Sequence, residues 1–292
     1  MVKTEIKDGV LRIYGQESLS LERSCFCGQA FRWTEKDGIF SCVIGESLLH
    51  AYKEGDILCI SPCDTFSAPE YIRYFDLDRD YGAIEGKMSA NDILKRCIPY
   101  AAGIRVFNQD PFEALISFII SANNNVKRIT MIIDRLCQRY GNRHVAPDGT
   151  EYYSFPTPEA LSNASVEELR SLGTGYRDEY IKRTAKAVAD GFSLEELRNM
   201  PYQLAKKRLC TLHGVGGKVA DCVLLFSLGH GEAFPMDVWM KRAVSTMFFG
   251  GKEPQKDELT ALLDTFGTDA GRIQQYIFHY ARETGLKDFS AG

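Results

Sequence analysis

Hydrophobic and polar residues alternate in short segments along the first 65 residues of the chain. Turns rich in Gly, Asp and Lys separate these segments, which are VLRIYG, SLSLE, QAFRWTE, IFSCVIG, LLHAYKE and ILCISP. A period of two is typical of β-strands that bury one face, and short turns join antiparallel neighbours. The pattern therefore predicts an antiparallel sheet built from these six segments.

From Pro69 onward the hydrophobic period changes to the spacing of helices. The helical segments are PEYIRYF, NDILKRC, PFEALISFIISA, VKRITMIIDRLCQRY, PEALSNA, SVEELRSLG, DEYIKRTAKAVADG and SLEELRN, and residues 201–292 continue the helical pattern. Several begin with Pro, Ser or Asn followed by an acidic residue, as helix N-termini do. The chain is predicted to be one α+β body, with an N-terminal antiparallel β-sheet domain at 1–67 packed on a mostly α-helical domain at 68–292.

Composition narrows the class of protein further. The 292 residues are 45% hydrophobic and 25% charged, as in ordinary globular proteins. No apolar run approaches the ~18 residues of a membrane-spanning helix, and the first ten residues lack the apolar core of a signal peptide. We expect a soluble intracellular monomer with no membrane partner, in the cytoplasm or nucleoid of a bacterium or in a eukaryotic nucleus.

The nine cysteines are an odd number, and reduced thiols are the expectation for an intracellular chain. Cys25 and Cys27 form one close pair in sequence, and Cys59 and Cys63 form another. Their spacings differ from those of zinc knuckles, and both pairs lie in strand-like sequence. We therefore interpret them as buried thiols and expect no zinc site.

The net charge of −4, taken alone, argues mildly against a nucleic-acid partner. The charges are unevenly distributed, however. Residues 121–145 contain five basic side chains and one acidic one, and residues 203–250 contain six basic and three acidic ones. A globally acidic protein can therefore still present a basic face to a nucleic acid.

The most informative segment is CTLHGVGGKVADC at 210–222, which lies between the helical patterns YQLAKKRL and VADCVLLFSL. Its glycines, Gly214, Gly216 and Gly217, can adopt left-handed backbone angles and leave amides exposed, so the turn can wrap an anion. A P-loop needs Ser or Thr after its lysine, a dinucleotide fingerprint needs a third glycine, and both need a preceding strand. None of these conditions is met here.

The arrangement of helix, glycine turn and helix instead indicates a helix-hairpin-helix at about 203–229. Amides at the start of its second helix would hold a DNA phosphate without reading sequence. On the glycines alone, a plain corner between two helices remains the alternative.

Lys218 directly follows these glycines, in the first turn of the second predicted helix. The helix dipole disfavours an ammonium there and favours the neutral amine, a nucleophile that can form a Schiff base. Nineteen residues later, Asp237 ends the loop FPMD and is a natural N-cap of another helix. Lys218 and Asp237 therefore lie at the starts of two successive helices, where Lys218 can act as a nucleophile and Asp237 as its electrostatic partner. A plain cap is the alternative for Asp237.

LHGVGGKVADCVLLFSLG followed by FPMDVWMKRA resembles the helix-hairpin-helix, Gly/Pro-rich loop and Asp signature of base-excision DNA glycosylases. GQAFRW at 28–33, SANNNVKRI at 121–129 and GTGYRDEY at 173–180 resemble the segments that distinguish the 8-oxoguanine DNA glycosylase branch. The resemblance covers residues 10–285 in collinear order. It implies a bifunctional glycosylase and AP lyase that acts on double-stranded DNA and excises 8-oxoguanine, preferentially opposite cytosine.

The resemblance assigns roles in base flipping to a set of polar residues, since a flipped base leaves a gap that the protein must fill. Asn123 enters the vacated space, with Asn124 and Asn125 beside it in the motif. Tyr176 wedges beside the opposite base. Arg128 and Arg177 donate hydrogen bonds to the orphaned cytosine, whose edge accepts them.

The resemblance also implies a pocket for the damaged base. 8-Oxoguanine differs from guanine by an N7 hydrogen and an 8-carbonyl, and the backbone carbonyl of Gly28 matches the family's acceptor for N7. Gln274 and Phe278, four residues apart on one face of a predicted helix, offer an amide for the base edge and a ring for stacking. Cys222, one turn after Lys218, packs on the other side of the base.

In the implied mechanism, Asp237 stabilises positive charge at the deoxyribose C1′ and Lys218 captures that carbon as an imine, with β-elimination to follow. Neither step needs a metal, and we expect no cofactor. An iron-sulfur cluster is excluded because no cysteine follows Cys222. The family often binds a monovalent cation through hairpin carbonyls, here those of Cys210, Leu212 and Val215.

Two residues depart from the family pattern. His213 stands where the family commonly has Pro, and Trp239 stands where vertebrate members have His. Both leave Lys218 and Asp237 intact, so they affect the phosphate contacts and not the class of reaction. Two alternatives remain open, a sister glycosylase for other damaged bases and a non-catalytic DNA-binding module that uses only the hairpin.

Overall fold

Six strands near the start of the chain form one antiparallel sheet. The computed structural model describes residues 2–289. The strands are β1 (Thr4–Lys7), β2 (Val10–Ile13), β3 (Thr34–Lys36), β4 (Ile39–Ile44), β5 (Ser47–Glu54) and β6 (Ile57–Ser61). They pair in the order β1-β2-β6-β5-β4-β3. In the register of β5 and β6, Ala51 lies opposite Ile60, and both are fully buried.

The predicted sheet is confirmed, but two of its predicted segments are wrong. SLSLE is not a strand, because Ser20 caps a helix that begins at Leu21, with its hydroxyl accepting the amide of Arg23 at 3.2 Å. In QAFRWTE only the end is a strand, as part of β3. Strand β1 was missed because all four of its residues are exposed, which leaves no hydrophobic alternation.

Helices follow from residue 68 onward, as the change of period predicts, and they form most of the rest of the protein. With the early helix included, the helices are α1 (Leu21–Phe26), α2 (Ala68–Tyr74), α3 (Tyr81–Ser89), α4 (Asp92–Lys95), α5 (Ile98–Ala101), α6 (Pro111–Ser121), α7 (Val126–Tyr140), α8 (Pro158–Asn163), α9 (Val166–Leu169), α10 (Asp178–Ala189), α11 (Tyr202–Leu209), α12 (Gly217–Phe226), α13 (Val238–Phe248), α14 (Lys256–Phe266) and α15 (Ala270–Thr284). Within residues 2–289, none is long and apolar enough to cross a membrane.

The helical region also contains a small hairpin that the hydrophobic pattern did not predict. Strands β7 (Arg143–Val145) and β8 (Glu151–Tyr153) pair antiparallel. Each strand has three residues, too few for a visible period. The only sequence signal was the turn Pro147-Asp148-Gly149, where Gly149 adopts a φ of +88°.

Three hydrophobic cores meet behind the segment Cys27–Trp33. The first combines the sheet with α2 and Phe107, the second combines α3 to α5 with α13 to α15, and the third combines α6 to α12. Cys27 belongs to the second core, Phe31 to the third, and Ala30 and Trp33 to the first. The fold is therefore α+β as predicted, while the domain boundary at residue 67 stays a prediction.

Candidate active site

Lys218 lies in the first turn of α12, where it contacts helix α6. Its Nζ donates a hydrogen bond to Oγ of Ser121 at 3.1 Å and lies 5.1 Å from the centroid of the Phe118 ring. The Ser121 hydroxyl donates to the Phe118 carbonyl at 2.8 Å, so its oxygen is turned to accept from the lysine. Two α6 residues therefore orient the amine. No local pattern in the sequence indicated this role for Ser121 and Phe118.

Asp237 is the N-cap of α13, as its position predicts. Its Oδ1 accepts the backbone amide of Met240 at 2.8 Å. The cap occupies one carboxylate oxygen and leaves Oδ2 to the site. Lys218 and Asp237 line the same cavity and the same groove, so the first turns of α12 and α13 meet at one opening.

A narrow cavity of about 60 Å³ opens beside these two side chains. Its wall contains Lys218 and Asp237 together with the four residues assigned to the damaged base, namely Gly28, Cys222, Gln274 and Phe278. Residues from opposite ends of the chain thus converge on one cavity. The roles of the four in base recognition stay predictions.

The two small residues of the cavity wall are held by their surroundings. Burial raises the pKa of the Cys222 thiol to about 11, so it is protonated at neutral pH and presents an apolar surface. Gly28 has a φ of +87° and no atom near the position of a Cβ, so its backbone conformation is what favours glycine. The buried side chain of Gln29 anchors this loop by donating to the carbonyls of Ser24 and Arg105, both at 2.8 Å.

A broader groove of about 660 Å³ lies on the other side of Lys218 and Asp237. Its further lining residues are Ser121, Ala122, Asn123, Asn124, Asn125, Arg128, Met236, Val238, Trp239 and Lys241. Val238 and Trp239 are exposed apolar residues on the first turn of α13. The groove therefore joins the asparagine motif of α7 to the catalytic candidates.

The three asparagines of this motif have different surroundings. Asn125 caps α7 by accepting the amide of Arg128 at 3.0 Å, and Asn124 donates to the carbonyl of Ile120 at 3.2 Å. Asn123 is exposed, with a φ of +55°, and its side chain makes no hydrogen bond among the described residues. The loop therefore presents Asn123 as the one free amide of the three.

Tyr176 and Arg177 lie together but differ in exposure. Tyr176 is 54% exposed, with the guanidinium of Arg177 4.4 Å from its ring centroid. Arg177 is buried, and it donates to the carbonyls of Ala122, Asn123 and Thr174. Most of its donors are thus used to hold the asparagine loop, which the sequence did not indicate. Its assignment to cytosine stays a prediction.

Arg128 remains exposed, and within residues 2–289 its side chain makes one hydrogen bond, from Nη2 to the carbonyl of Gly173 at 3.3 Å. That weak contact leaves most of its donors available at the edge of the groove. Of the two arginines assigned to cytosine, Arg128 is therefore the one positioned to meet a partner.

The predicted helix-hairpin-helix is formed by α11 and α12. Of its three glycines only Gly214 has a left-handed φ, of +80°, and a Cβ there would lie 2.5 Å from the ring of Tyr180. Gly216 and Gly217 are exposed, and among the described residues no side chain caps the start of α12. Uncapped amides at an exposed helix N-terminus are suited to bind a phosphate.

The departure at His213 leaves this hairpin intact. Its ring packs edge-on against Tyr180 at 5.0 Å between centroids, and its carbonyl accepts from Thr184 at 2.8 Å. The carbonyl of Leu212 accepts the amide of Val215 at 3.2 Å and keeps a second lone pair, which is compatible with the cation predicted to bind there with Cys210. That cation stays a prediction.

The two basic segments contain fewer free charges than the sequence suggests. Four of their basic residues are ion-paired, namely Arg139 with Glu168, Arg143 with Glu151, Lys206 with Asp221 and Arg208 with Glu196. The other seven have no ion-pair partner within residues 2–289, namely Lys127, Arg128, Arg135, Lys207, Lys218, Lys241 and Arg242. The positive charge is therefore concentrated on fewer side chains.

Comparison with known proteins agrees with this architecture. The family model of the HhH-GPD superfamily base excision DNA repair protein matches residues 116–267, and that of the 8-oxoguanine DNA glycosylase N-terminal domain matches residues 11–115. N-glycosylase/DNA lyase OGG1 of Arabidopsis thaliana is 36% identical over 289 residues, which is 90% of this chain and 78% of the relative.

Two solved structures are similar over nearly the whole chain. MBOgg1 in complex with a low affinity DNA ligand has a TM-score of 0.92 at 36% identity, covering 98% of this chain and 99% of that one. The Clostridium acetobutylicum 8-oxoguanine glycosylase/lyase, in complex with double-stranded DNA containing cytosine opposite 8-oxoG, has a TM-score of 0.91 at 32% identity, covering 98% of both chains.

The HhH-GPD family model and the N-glycosylase/DNA lyase relative identify a base-excision DNA glycosylase with AP lyase activity. The N-terminal sheet and the family models specify the branch. The chain belongs to the 8-oxoguanine DNA glycosylase family of the HhH-GPD superfamily.

Proposed function

We propose that this protein excises 8-oxoguanine from double-stranded DNA, preferentially opposite cytosine, and cleaves the strand through a Schiff base on Lys218. The observation that carries the proposal is that Lys218 and Asp237 line both the narrow cavity and the open groove. A base rotated into the cavity brings its C1′ to these two side chains, while the strand follows the groove. The DNA complexes of MBOgg1 and of the Clostridium enzyme support DNA as the partner.

The first step breaks the bond between C1′ and the base. The Asp237 carboxylate stabilises the positive charge that develops at C1′, and the base leaves with the bonding electron pair and takes up a proton. The amine of Lys218, held by Ser121, forms a bond to C1′. The C1′–O4′ bond then breaks, its electron pair and one amine proton go to O4′, and a protonated imine remains at C1′. Loss of a C2′ proton then expels the 3′ phosphate with its electron pair.

The preference for cytosine rests on the residues of the groove. Asn123 has an uncommitted amide to occupy the gap, and Tyr176 is exposed enough to wedge beside the opposite base. Arg128 supplies donors to O2 and N3 of cytosine, whereas adenine would confront it with the N6 donor. Leaving a guanidinium unpaired costs more than losing a neutral hydrogen bond, which gives the discrimination.

The substrate is tested by single-turnover excision from duplexes that contain 8-oxoguanine, an alkylated purine or an oxidised pyrimidine, each with borohydride trapping. We expect fast release and a trapped adduct with 8-oxoguanine alone. Faster excision of an alkylated or pyrimidine lesion would instead assign a sister activity. Binding without release of any base would indicate a DNA-binding module.

Arg128→Ala tests the preference for cytosine. We expect excision opposite cytosine to fall about tenfold, since one to a few kcal/mol of charged hydrogen bonding is lost, and the preference among opposite bases to flatten. Arg135→Ala is the matched control, because Arg135 lies on the same helix and also donates to a carbonyl of the neighbouring turn, that of Leu172. Equal wild-type rates opposite cytosine and adenine would remove this role from Arg128.

A further inference from the structure

Two neighbouring glutamines of α15 form a chain of side-chain amides beside the cavity. Gln274 and Gln275 are each only 4% exposed. Nε2 of Gln274 donates to the carbonyl of Pro235 at 3.2 Å, and Nε2 of Gln275 donates to Oε1 of Gln274 at 2.7 Å. Both side chains line the cavity that contains Lys218 and Asp237.

The carbonyl of Pro235 fixes the direction of this series of side-chain hydrogen bonds. A backbone carbonyl can only accept, so Gln274 must turn its NH2 group toward it and its Oε1 toward Gln275. Gln275 must then use its own NH2 group, and its Oε1 is left at the end of the chain. The orientation of both amides therefore follows from one fixed acceptor.

Oε1 of Gln275 is a buried acceptor that has no hydrogen-bond partner among residues 2–289. Three other side-chain atoms share this condition, on Tyr140, His144 and His279, but none of those residues lines the cavity. Buried polar atoms in native proteins are nearly always paired, so an unpaired acceptor in a binding cavity points to a donor on the ligand.

We propose that Oε1 of Gln275 accepts a hydrogen bond from the 2-amino group of the 8-oxoguanine base, while its Nε2 orients Gln274. This inference rests on the proposed function. The base carries two adjacent donors on one edge, N1–H and the 2-amino group. Gln274 Oε1, which has a second lone pair, and Gln275 Oε1 are two adjacent acceptors that match them.

The experiment compares 8-oxoguanine with 8-oxohypoxanthine, which keeps N1–H and lacks only the 2-amino group. Single-turnover excision opposite cytosine is measured for wild type and for Gln275→Met, which fills a similar space and replaces the amide oxygen with a weakly accepting thioether. We expect removal of the 2-amino group to slow excision by the wild type about tenfold more than excision by the variant, because the loss of one hydrogen bond changes a rate by about this factor.

The rate with 8-oxoguanine is divided by the rate with 8-oxohypoxanthine for each protein, and the wild-type ratio is divided by the variant ratio. This ratio of ratios removes the effect of the weaker pairing of 8-oxohypoxanthine with cytosine, because that effect is the same for both proteins. Gln16→Met is the matched control, because Gln16 is a buried glutamine of the sheet region with its amide 3.4 Å from the carbonyl of Tyr14. It should keep the wild-type ratio. Gln275→Asn, which withdraws the acceptor by one methylene, replaces the Met variant if thermal melting shows that the latter does not fold.

A ratio of ratios near one would overturn the assignment of Gln275 to the 2-amino group while leaving the proposed function intact, since 8-oxoguanine would still be excised. Absence of wild-type excision of 8-oxoguanine would refute the proposed function and this inference together.

Discussion

Lys218 owes its orientation to two residues of a helix that lies far away in sequence. Ser121 accepts its hydrogen bond and the centroid of the Phe118 ring lies 5.1 Å from its Nζ. These two contacts hold Nζ at the wall of the cavity. The nucleophile is therefore fixed in direction before DNA binds.

Lys218→Gln tests whether this amine is the nucleophile. We expect the variant to fold and to bind lesion DNA, since Gln keeps a polar group beside Ser121, but to give no borohydride-trapped adduct. Lys241→Gln is the matched control, because Lys241 lines the same groove and should still allow trapping. An adduct with the Lys218 variant would mean that another amine attacks C1′.

Asp237→Asn separates the cap from the catalytic charge. Asn is as good an N-cap as Asp, so the start of α13 should keep its bond to Met240 and the melting temperature should change little. Removing a charge needed mainly in the transition state should lower single-turnover base release at least a hundredfold with near-normal DNA affinity. A near-normal rate would leave Asp237 as a cap alone.

At the scale of the element, α15 presents residues to the cavity on one side and buries the rest. Gln274, Gln275 and Phe278 line the cavity, and the next residue, His279, is buried with its Nε2 unpaired among residues 2–289. Burial, with the charges of Arg282 and Arg23, lowers the pKa of His279 to about 4. The helix therefore contains a histidine that folds in its neutral form.

This lowered pKa makes stability depend on pH. The unfolded chain takes up a proton near pH 6.5 and the folded protein only near pH 4, so stability falls as pH drops through this window. Between pH 8 and pH 5 we expect a loss of about 2 kcal/mol from His279. Urea unfolding gives the free energy of unfolding of wild type and of His279→Leu at both pH values. The contribution of His279 is the difference between the two proteins in how much this free energy changes with pH. Identical dependences would contradict the burial argument.

At the scale of the whole molecule, the site lies where three hydrophobic cores meet. Segment Cys27–Trp33 contributes side chains to all three cores, and Gly28 reaches the cavity from that junction. The cavity wall contains Cys27 of the second core and Phe118 and Cys222 of the third, so the arrangement of the site depends on how these cores pack. The same packing brings basic side chains that are distant in sequence together at the groove.

Non-specific binding to duplex DNA should weaken steeply with salt despite the acidic net charge, because phosphate binding releases counterions. Lys241→Ala should reduce the slope of log K against log salt by about 0.9, the value for one phosphate contact. Lys7→Ala, on the edge strand β1, should leave the slope unchanged. Titration by fluorescence anisotropy at several salt concentrations measures both. Affinity that stays flat from low to physiological salt would exclude phosphate tracking.

The sequence by itself determined those features that arise from neighbouring residues. The bounds of α7, the hairpin of α11 and α12 and the cap at Asp237 all follow from periodicity, glycine spacing and capping, which act within a few residues. The same local rules failed at residues 18–22, where a serine cap overrode a short alternation. The family resemblance added the cavity residues, from Gly28 to Phe278.

Only the tertiary structure decided which distant groups share a bond. The hydroxyl of Ser121 lies at Lys218 because α6 packs on α12, and the donors of Arg177 are used by a loop some 50 residues away. The unpaired oxygen of Gln275 likewise depends on the carbonyl of Pro235. No local pattern encodes such pairings, because hydrogen bonds and ion pairs between distant residues are selected by how the three cores pack.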